Sequence, residues 1–542
     1  MRLPILPHPI RFAWTVALLF VTGLGGFSRT ARAVDASPPQ LQGFDATMQQ
    51  LVRDWNVPGI GVGVVVRHQL VFARGYGYRD YGRKLPFTEH TVVPIASNTK
   101  LFTAVAAGLL VEEGKLEWDQ PIRQFVPSIE FHDDELNRAV SIRDMLSHRT
   151  GITRHDLIWY KSEFTRPELF ERLKYLEPSA SFRSRWQYQN LMFLTAGYLV
   201  ERRTGRSWDD LIRERVFAPL EMTRSNTSVR DLPAADDAAL GYVWRDCPAE
   251  KAAGMVGTAG AAGAAGPSSK CGLVQVPYRN IDAVAPAGSI NSDVEEMLHY
   301  IQFHIDSGRY NGRAILSKEN AGLMETPQML VGDQEIWPDE LGVATYGLGL
   351  SVTSYRGRKL VQHGGGIDGF ISQMSWLPRE RIGIMVVTNM SGTNPVPNIV
   401  TRNVIDRLLG LAPIDWVART EKQLQDAKAK RLKQRADRAA ERQPNTSPSH
   451  PLSAYGGTYE HPAYGRLSVQ ADGAALSLSF DGFNVPLKHF HYDVFEIDDP
   501  MDALPLSGRV TFLMDSKGNI DRMAVPFEPS VKDIEFTRVK NP

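Results

Sequence analysis

The sequence has 542 residues, of which 43% are hydrophobic and 23% are charged, which is typical of a soluble globular protein with more than one domain. Lysine plus arginine and aspartate plus glutamate both number 61, so the formal net charge is zero. This balance argues against a nucleic-acid-binding protein with a global basic field and against an acidic, solvating chain.

The N-terminus has the pattern of a secretory signal peptide. Arg2 and Arg11 lead into an apolar run over residues 12–27, and small residues precede a cleavage site after Ala33. The run is shorter than the ~20 residues that a membrane span usually needs, although an uncleaved anchor is the alternative. Removal of residues 1–33 removes four arginines and no acids, which leaves a net charge of −4. We expect an exported protein, periplasmic or secreted, with no stable membrane span after cleavage.

The main domain, residues 38–412, is predicted to be α+β. It begins with an amphipathic helix and a hairpin and ends with a second hairpin, and helical patterns fill much of the sequence between them. The ranges are 44–55 for the helix, 60–67 and 70–76 for the first hairpin, and 370–377 and 382–388 for the second. Strands at both ends with helices between them predict one sheet that both ends of the domain complete and that helices cover.

Ser97 and Lys100 stand at the start of a predicted buried helix that Gly114 ends. A serine in the first turn lies near unpaired backbone N–H groups, and a lysine three residues later lies on the same face. Apolar surroundings lower the pKa of a lysine, so Lys100 can serve as the base that activates Ser97. The alternative is an N-cap serine beside a lysine that reaches to solvent.

Tyr188 and Asn190 precede a second predicted apolar helix, residues 191–203. From this loop a phenol can shuttle the proton of the serine, and a carboxamide can hold the lysine or a substrate carbonyl. A core tyrosine followed by an asparagine N-cap is the alternative. The triplet 278–280, Tyr-Arg-Asn, has the same pattern but follows a Gly/Ala-rich loop, so we favour Tyr188.

Cys247 and Cys271, the two cysteines of the chain, flank that Gly/Ala-rich loop. In an oxidising compartment they can pair and stabilise the fold by roughly 3 kcal/mol. Two free thiols are the alternative, because sequence alone does not show whether the two residues meet. Two isolated cysteines are not a ligand cluster, so we expect no metal site.

Three consecutive glycines follow His363, directly before the strand predicted at residues 370–377. Glycines let a substrate approach the backbone closely, so an N–H of Gly365 or Gly366 can donate to a carbonyl oxygen under attack. His363 would bind or polarise the substrate at the same edge. The alternative is a glycine-rich turn with an incidental histidine.

The composition changes after the main domain. Residues 413–451 are predicted to be a charged helical linker, because acids are interspersed with bases and a nucleic-acid patch is less consistent with that mixture. Residues 452–542 are predicted to be a small all-β domain, a sandwich or a barrel. Its predicted strands are residues 466–470, 475–480, 510–514 and 533–538.

The three motifs, in this order, resemble the signature of serine β-lactamases and penicillin-binding proteins, which is Ser-x-x-Lys, Tyr-x-Asn and Lys-Thr-Gly. The chain is most similar to class C β-lactamases, related esterases, D-aminopeptidases and DD-carboxypeptidases, over residues 44–411, and residues 142–152 resemble a further family segment. The resemblance implies an antiparallel sheet flanked by helices, with a mainly helical lobe. The C-terminal domain resembles the lipocalin-like β-domain that follows some of these hydrolases.

The resemblance also implies a mechanism. Ser97 would attack a carbonyl carbon, while Lys100 and Tyr188 remove its proton and return it to the leaving group. The backbone N–H groups of Ser97 and Gly366 would form the oxyanion hole, and Asn190 would orient the substrate. Water would then hydrolyse the acyl-enzyme, with no metal or cofactor.

One departure from the family pattern concerns the substrate. His363 stands where the family has the lysine of Lys-Thr-Gly, and a histidine is mostly neutral at pH 7. We therefore expect a hydrolase of peptides, amides or esters, of the D-aminopeptidase, carboxypeptidase or esterase type, with slow β-lactam hydrolysis. The alternatives are a β-lactamase proper, a catalytically silent sensor of penicillin or peptidoglycan, and a structural exported protein. The sequence is compatible with a monomer or a homo-oligomer, and it suggests no nucleic-acid partner.

Overall fold

The computed structural model describes residues 38–245, 271–332, 337–497 and 508–540. The predicted signal peptide, residues 1–33, lies outside them. Cys247 also lies outside the described residues, so its pairing with Cys271 stays a prediction. The two strands that flank the Gly/Ala-rich loop pair with each other and place Arg245 opposite Gly272.

The main domain mixes helices with strands, whereas the C-terminal domain is built from strands. The α-helices of the described residues are α1 (Phe44–Asp54), α2 (Thr99–Glu112), α3 (Asp134–Ala139), α4 (Ile142–Leu146), α5 (Arg166–Glu171), α6 (Asn190–Thr204), α7 (Trp208–Ile212), α8 (Ala285–Gly288), α9 (Val294–Ile305), α10 (Lys318–Met324), α11 (Val396–Leu408) and α12 (Trp416–Ala440). The strands are β1 (Gly59–Val66), β2 (Gln69–Asp80), β3 (Leu85–Pro86), β4 (Val93–Pro94), β5 (Gly241–Arg245), β6 (Gly272–Val276), β7 (Asn291–Ser292), β8 (Arg309–Tyr310), β9 (Arg313–Ala314), β10 (Met329–Leu330), β11 (Thr345–Tyr346), β12 (Ser351–Tyr355), β13 (Arg358–Ile367), β14 (Phe370–Leu377), β15 (Ile382–Thr388), β16 (Met390–Ser391), β17 (Gly457–His461), β18 (Gly465–Asp472), β19 (Ala475–Phe480), β20 (Phe483–His491), β21 (Val494–Ile497), β22 (Arg509–Met514), β23 (Ile520–Val525) and β24 (Ile534–Arg538).

A nine-stranded sheet in the order β10-β11-β12-β13-β14-β15-β1-β2-β3 forms the centre of the main domain. Strand β1 pairs antiparallel with β15, so both ends of the domain complete one sheet, as predicted. The glycines of β1 alternate with valine and isoleucine. A Cβ at Gly63 would lie 2.9 Å from Leu298 of α9, so the glycine face lets α9 lie close to the sheet. The aliphatic face, with Val62, packs in the cluster that holds Phe44 of α1.

Helix α2 is the buried centre of the helical lobe. All its residues from Thr99 to Leu110 are buried, which agrees with the apolar pattern of its sequence. Gly114 then adopts a φ of +66° directly after the helix, a conformation that glycine adopts without strain. A Cβ at Gly197 of α6 would lie 2.2 Å from Pro286 of α8, so this glycine allows α8 to pack closely against α6.

The C-terminal domain is a closed barrel of the eight strands β17 to β24. Pairing of β17 with β24 closes it and decides between the predicted sandwich and barrel. All four predicted strands are present, and β17, β20, β21 and β23 are additional. Aromatic rings fill the interior, where Tyr455 and Phe512 meet edge to face with ring centroids 4.9 Å apart.

Helix α12 lies between the main domain and the barrel, within the range predicted for the charged linker. Trp416 at its start is buried and donates from its indole N–H to Asp406 at 2.9 Å, whereas the residues after Thr420 are nearly all exposed. Within the described ranges, no helix combines the length and the apolar character that crossing a membrane requires.

Candidate active site

Ser97 lies on a short 3-10 turn, Ala96–Asn98, that leads into α2. The preceding residue, Ala96, has a φ of 47°, a left-handed conformation that is uncommon for alanine. The turn is tied to the central sheet through Ser372 of β14. The side chain of Asn98 donates to the Ser372 hydroxyl at 2.8 Å, and that hydroxyl donates to the Ile95 carbonyl at 2.7 Å. These bonds fix the turn that presents the Ser97 hydroxyl.

Lys100 is completely buried, one helical turn after Ser97. Its Nζ lies 3.1 Å from Ser97 Oγ and donates to Asn190 Oδ1 and to the Ala287 carbonyl, both at 2.7 Å. Burial lowers the pKa of Lys100 well below its ordinary value, and the nearby Arg154 adds to this effect. A neutral amine has two N–H groups and one lone pair. Since two acceptors take the N–H groups, the lone pair remains to accept the proton of Ser97.

Tyr188 lies beside both residues. Lys100 Nζ lies 4.8 Å from the centre of its ring, and Ser97 is near enough to its hydroxyl to affect the Tyr188 pKa. Burial raises the pKa of Tyr188 above its ordinary value, while the neighbouring Ser97 hydroxyl acts in the opposite direction. The competing Tyr278 donates instead to the Ala239 carbonyl at 2.8 Å. Of the two tyrosines, the structure therefore brings Tyr188 to the Ser-Lys pair.

His148, from the family-like segment 142–152, supports the Tyr188 ring. The two rings are 4.4 Å apart between centroids, and His148 Nδ1 accepts from the backbone N–H of Gln189 at 3.1 Å. Burial lowers the pKa of His148 well below its ordinary value, so this ring is neutral. The histidine thus fixes the start of α6 and with it Tyr188.

Asn190 connects Lys100 to a carboxylate that the sequence analysis did not identify. Its Oδ1 accepts from Lys100, and its Nδ2 donates to Asp156 Oδ1 at 2.8 Å. Asp156 Oδ2 accepts in turn from Arg154 Nε at 2.7 Å, and Oδ1 also accepts from the indole of Trp159 at 2.9 Å. The carboxylate therefore sets the orientation of the Asn190 amide.

The glycines after His363 lie on β13, next to the turn of Ser97. Gly365 has no side chain to separate β13 from the backbone of Ile95, and this closeness places Gly366 on the wall of the same cleft as Ser97. A Cβ at Gly366 would have no heavy atom within 4 Å, so there is free space in front of this residue. Gly366 and Ser97 are thus the two candidate oxyanion donors that the structure brings to one cavity.

His363 itself is buried and does not line that cavity. Its Nδ1–H donates to the Gly364 carbonyl at 2.7 Å, and its Nε2 accepts from the Tyr346 hydroxyl at 2.9 Å. Burial, together with the Lys100 charge, lowers the pKa of His363 to about 3. The structure therefore differs from the expectation that His363 contacts substrate, because protein partners engage both of its ring nitrogens.

The cleft in front of Ser97 is a cavity of about 410 Å³. Besides the predicted Ser97, Asn190 and Gly366, its wall includes residues that the sequence analysis missed: Arg154, Asp156, Tyr160, Asp368, Phe527 and Glu528. Phe527 and Glu528 belong to the barrel, so the C-terminal domain contributes to the cleft of its own chain. No sequence pattern indicated them, because they come next to the cleft only in the folded protein.

A pair of charges lies at the rim of this cleft. Asp368 accepts from the Tyr160 hydroxyl at 2.6 Å and pairs with Arg279 at 2.8 Å, so the second residue of the rejected Tyr-Arg-Asn triplet contacts the cleft wall. Burial and this carboxylate together raise the pKa of Tyr160 above its ordinary value. The phenol of Tyr160 is therefore a hydrogen-bond donor to Asp368 and not a base.

One group in the described part of the chain has the composition of a metal site. His90, Asp293 and Glu295 have ligand atoms within 4.8 Å of one another. However, Arg224 pairs with Asp293 at 2.6 Å and with Glu295 at 2.9 Å, which offsets the negative charge that a cation would need. None of the three residues lines the cleft, so the group has no part in its chemistry.

Comparisons with known proteins match both domains of the chain. A family model described as Beta-lactamase matches residues 44–409, and one described as a domain of unknown function (DUF3471) matches residues 441–538. The chain is 28% identical over 476 residues to unguisins hydrolase ungD' of Aspergillus campestris. The aligned region covers 82% of this chain and 80% of that protein.

Two solved structures share the fold. The octameric penicillin-binding protein homologue from Pyrococcus abyssi has a TM-score of 0.57 at 22% identity, over 92% of this chain and all of that chain. The D-amino acid amidase from Ochrobactrum anthropi has a TM-score of 0.54 at 20% identity, over 68% of this chain and 99% of that chain. The predicted α+β fold of the β-lactamase/transpeptidase type, followed by an all-β domain, is confirmed.

Proposed function

Because the chain belongs to the beta-lactamase family of serine hydrolases, we propose that it cleaves peptide, amide or ester bonds through an acyl-enzyme on Ser97. The observation that carries this proposal is the contact of 3.1 Å between Lys100 Nζ and Ser97 Oγ, in surroundings that lower the lysine pKa. Such a lysine removes a proton at neutral pH, which an ordinary lysine does not.

In the first step, Lys100 takes the proton of Ser97 while Oγ bonds to the substrate carbonyl carbon. The carbonyl π electrons move to its oxygen, which accepts from the backbone N–H groups of Ser97 and Gly366, each contributing roughly 3 kcal/mol to transition-state stabilisation. The intermediate then expels the amine or alcohol, which takes its proton from Lys100 through the Tyr188 hydroxyl. Water, deprotonated by the same pair, hydrolyses the ester on Ser97 and regenerates the enzyme.

Two observations favour peptides, amides or esters as substrates over β-lactams. The position of the family lysine is occupied by His363, which is buried and neutral, so that position offers no cation to a substrate carboxylate. A relative that covers 82% of this chain is named as an unguisins hydrolase, and a structural neighbour is a D-amino acid amidase. We further propose, from the pattern of residues 1–33, that the protein is exported.

Intact-mass spectrometry tests the acyl-enzyme. Wild-type protein and Ser97→Ala are incubated with a fluorophosphonate and, separately, with a penicillin. We expect one fluorophosphonate adduct on wild type and none on Ser97→Ala, with any penicillin adduct decaying over time. A penicillin adduct that never decays would support a sensor instead, and no adduct from either reagent would refute Ser97 as the nucleophile.

The substrate class is tested with p-nitrophenyl esters and with p-nitroanilides of D- and L-amino acids. We expect turnover of at least one ester or anilide series by wild type and none by Ser97→Ala. Wild type that turns over none of them would refute the proposed substrate class. Equal turnover by Ser97→Ala would show that a different residue performs the chemistry.

A further inference from the structure

The barrel touches the main domain at the segment of residues 153–156, which carries Arg154 and Asp156 of the cleft. Glu528 of the barrel is buried there, with 7% of its surface exposed. Its Oε1 accepts from the Thr153 hydroxyl at 3.2 Å, and its Oε2 accepts from the backbone N–H of His155 at 3.0 Å. One carboxylate of the barrel thus binds the segment at two points.

This segment has a conformation that needs support. His155 has a φ of 46°, in the left-handed region that residues other than glycine adopt only when their surroundings hold them there. A second barrel residue helps, since the Tyr464 hydroxyl lies 2.7 Å from His155 Nδ1. The barrel therefore contacts both the backbone and the ring of the strained residue.

Hydrogen bonds continue from this segment to the catalytic base. Asp156, directly after His155, accepts from Asn190 Nδ2 at 2.8 Å. That bond turns Asn190 Oδ1 towards Lys100, whose Nζ donates to it at 2.7 Å. If Asp156 moved, the amide would lose the partner that sets its orientation, and Lys100 would lose a fixed acceptor.

We infer that Glu528 is a positioning residue for the active site: it holds residues 153–156 so that Asp156 orients Asn190 and, through it, Lys100. The barrel then contributes to catalysis in the main domain, in addition to being attached to it. This inference rests on the proposed function, because it assigns Glu528 an effect on the base that activates Ser97.

A simple adhesive contact between the domains is the competing explanation, and the chain offers a matched control for it. Lys532 of the barrel pairs with Glu177 of the main domain at 2.9 Å, with 79% of the lysine side chain exposed. This ion pair also joins the two domains, but it does not touch residues 153–156. A variant that removes it weakens attachment without changing the segment.

The test is a double-mutant cycle of Glu528→Gln and Asp156→Ala, with Lys532→Gln as control, assayed by p-nitrophenyl ester hydrolysis and the rate of fluorophosphonate labelling. We expect Glu528→Gln to lower kcat about tenfold, the size of effect that a small misplacement produces, with KM within about twofold of wild type. In the Asp156→Ala background, which lacks the acceptor for Asn190 Nδ2, the same change should have no further effect beyond about twofold, because the two residues act in series. Lys532→Gln should match wild type.

Three results would overturn the inference. Glu528→Gln could behave like Lys532→Gln. The effects of the Glu528 and Asp156 substitutions on kcat could multiply in the double variant. Finally, Glu528→Gln could raise KM with kcat unchanged, which would mean that Glu528 binds substrate directly. If thermal unfolding shows that Glu528→Gln is not folded, Tyr464→Phe replaces it in the cycle with the same expected pattern. Wild type without labelling at Ser97 would instead refute the proposed function, so the two failures are distinguishable.

Discussion

Gly365 and Ile95 lie so close together that a Cβ atom at position 365 would be 2.1 Å from the Ile95 carbonyl oxygen. The same Cβ would lie 2.5 Å from the hydroxyl of Ser372, which donates to that carbonyl. Both contacts are shorter than any that atoms tolerate, and one is with backbone, which cannot turn away. The family-like glycine motif therefore has a packing reason: it lets β13 lie against the turn that carries Ser97.

We predict that Gly365→Ala separates β13 from this turn. Overpacking of this kind typically destabilises a protein by about 1–3 kcal/mol, and at this position it also displaces Gly366 from Ser97. The expected result is a lower thermal midpoint and a loss of fluorophosphonate labelling. Gly364→Ala is the matched control, because its Cβ would lie 3.1 Å from the side-chain oxygen of Gln373 and at an ordinary van der Waals distance, 3.8 Å, from the Ser372 carbonyl oxygen. Equal effects of the two substitutions would contradict the argument.

Lys100→Met tests the base directly. Methionine is unbranched and of similar length to lysine, so it fills the buried site but accepts no proton. We expect labelling of Ser97 to slow by about 1000-fold, within the range that general-base catalysis supplies. Asn190 Oδ1 and the Ala287 carbonyl lose their donor, so a lower thermal midpoint is also expected. Lys433→Met, at an exposed position of α12, is the control, and labelling at the wild-type rate by Lys100→Met would exclude Lys100 as the base.

The pH dependence of kcat/KM should follow the Lys100 pKa, with activity rising as the lysine loses its proton at a pH well below its ordinary 10.5. Among the residues that the structure describes, the ionisable groups that face this lysine are Arg154, Asp156, Tyr188, His148 and His363. The Asp156 charge raises the Lys100 pKa and the Arg154 charge lowers it.

Asp156→Asn should therefore shift the acidic limb of that profile to lower pH, and Arg154→Gln should shift it to higher pH. The opposite signs separate an electrostatic effect on Lys100 from general damage, which would lower activity without moving the limb in two directions. The measurement is kcat/KM over a pH series for wild type and both variants. Shifts of the same sign in both variants would contradict the assignment of Lys100 as the titrating base.

Much of this architecture could be predicted because its signals are local. The two hairpins and α2 follow from alternation and from one apolar run, and the bounds of β14 and β15 agree with the prediction to the residue. Strand β20 was missed, and it contains Pro486, a residue that ordinarily argues against a strand.

The parts of the site that were missed depend on tertiary contacts. Asp156 has no motif of its own, and Glu528 reaches its segment from another domain, so no spacing in the chain reveals them. His363 illustrates the converse case. Its place in the motif was recognised, but the burial and the Tyr346 contact that make it a neutral structural residue appear only in the fold.

Nitrocefin provides the test of β-lactam hydrolysis. Because the family lysine is replaced by a neutral, buried His363, we expect turnover by wild type to be slow compared with that of an efficient β-lactamase measured in parallel. Ser97→Ala is the control for uncatalysed hydrolysis. Turnover near that of the efficient enzyme would contradict the proposed substrate preference and favour a β-lactamase proper.

His304 gives a prediction about stability that is independent of catalysis. It is buried in α9, neither of its ring nitrogens is hydrogen-bonded to a described residue, and it stacks on Trp376 with ring centroids 5.0 Å apart. Burial lowers its pKa to about 3 from 6.5. Between these pH values the unfolded chain binds one more proton at this residue than the folded chain does. Stability is therefore full above pH 6.5 and falls by about 1.4 kcal/mol per pH unit on acidification towards pH 3.

His304→Phe keeps an aromatic ring against Trp376 and removes the titrating group. We expect the variant to be more stable than wild type. Between pH 6.5 and about 4, the slope of its free energy of unfolding against pH should be smaller than the wild-type slope by about 1.4 kcal/mol per pH unit. Urea unfolding at a series of pH values measures both quantities. His132→Phe, at an exposed position, should leave the slope unchanged. The same slope in His304→Phe and wild type would show that His304 is not among the groups that set the acid stability of the fold.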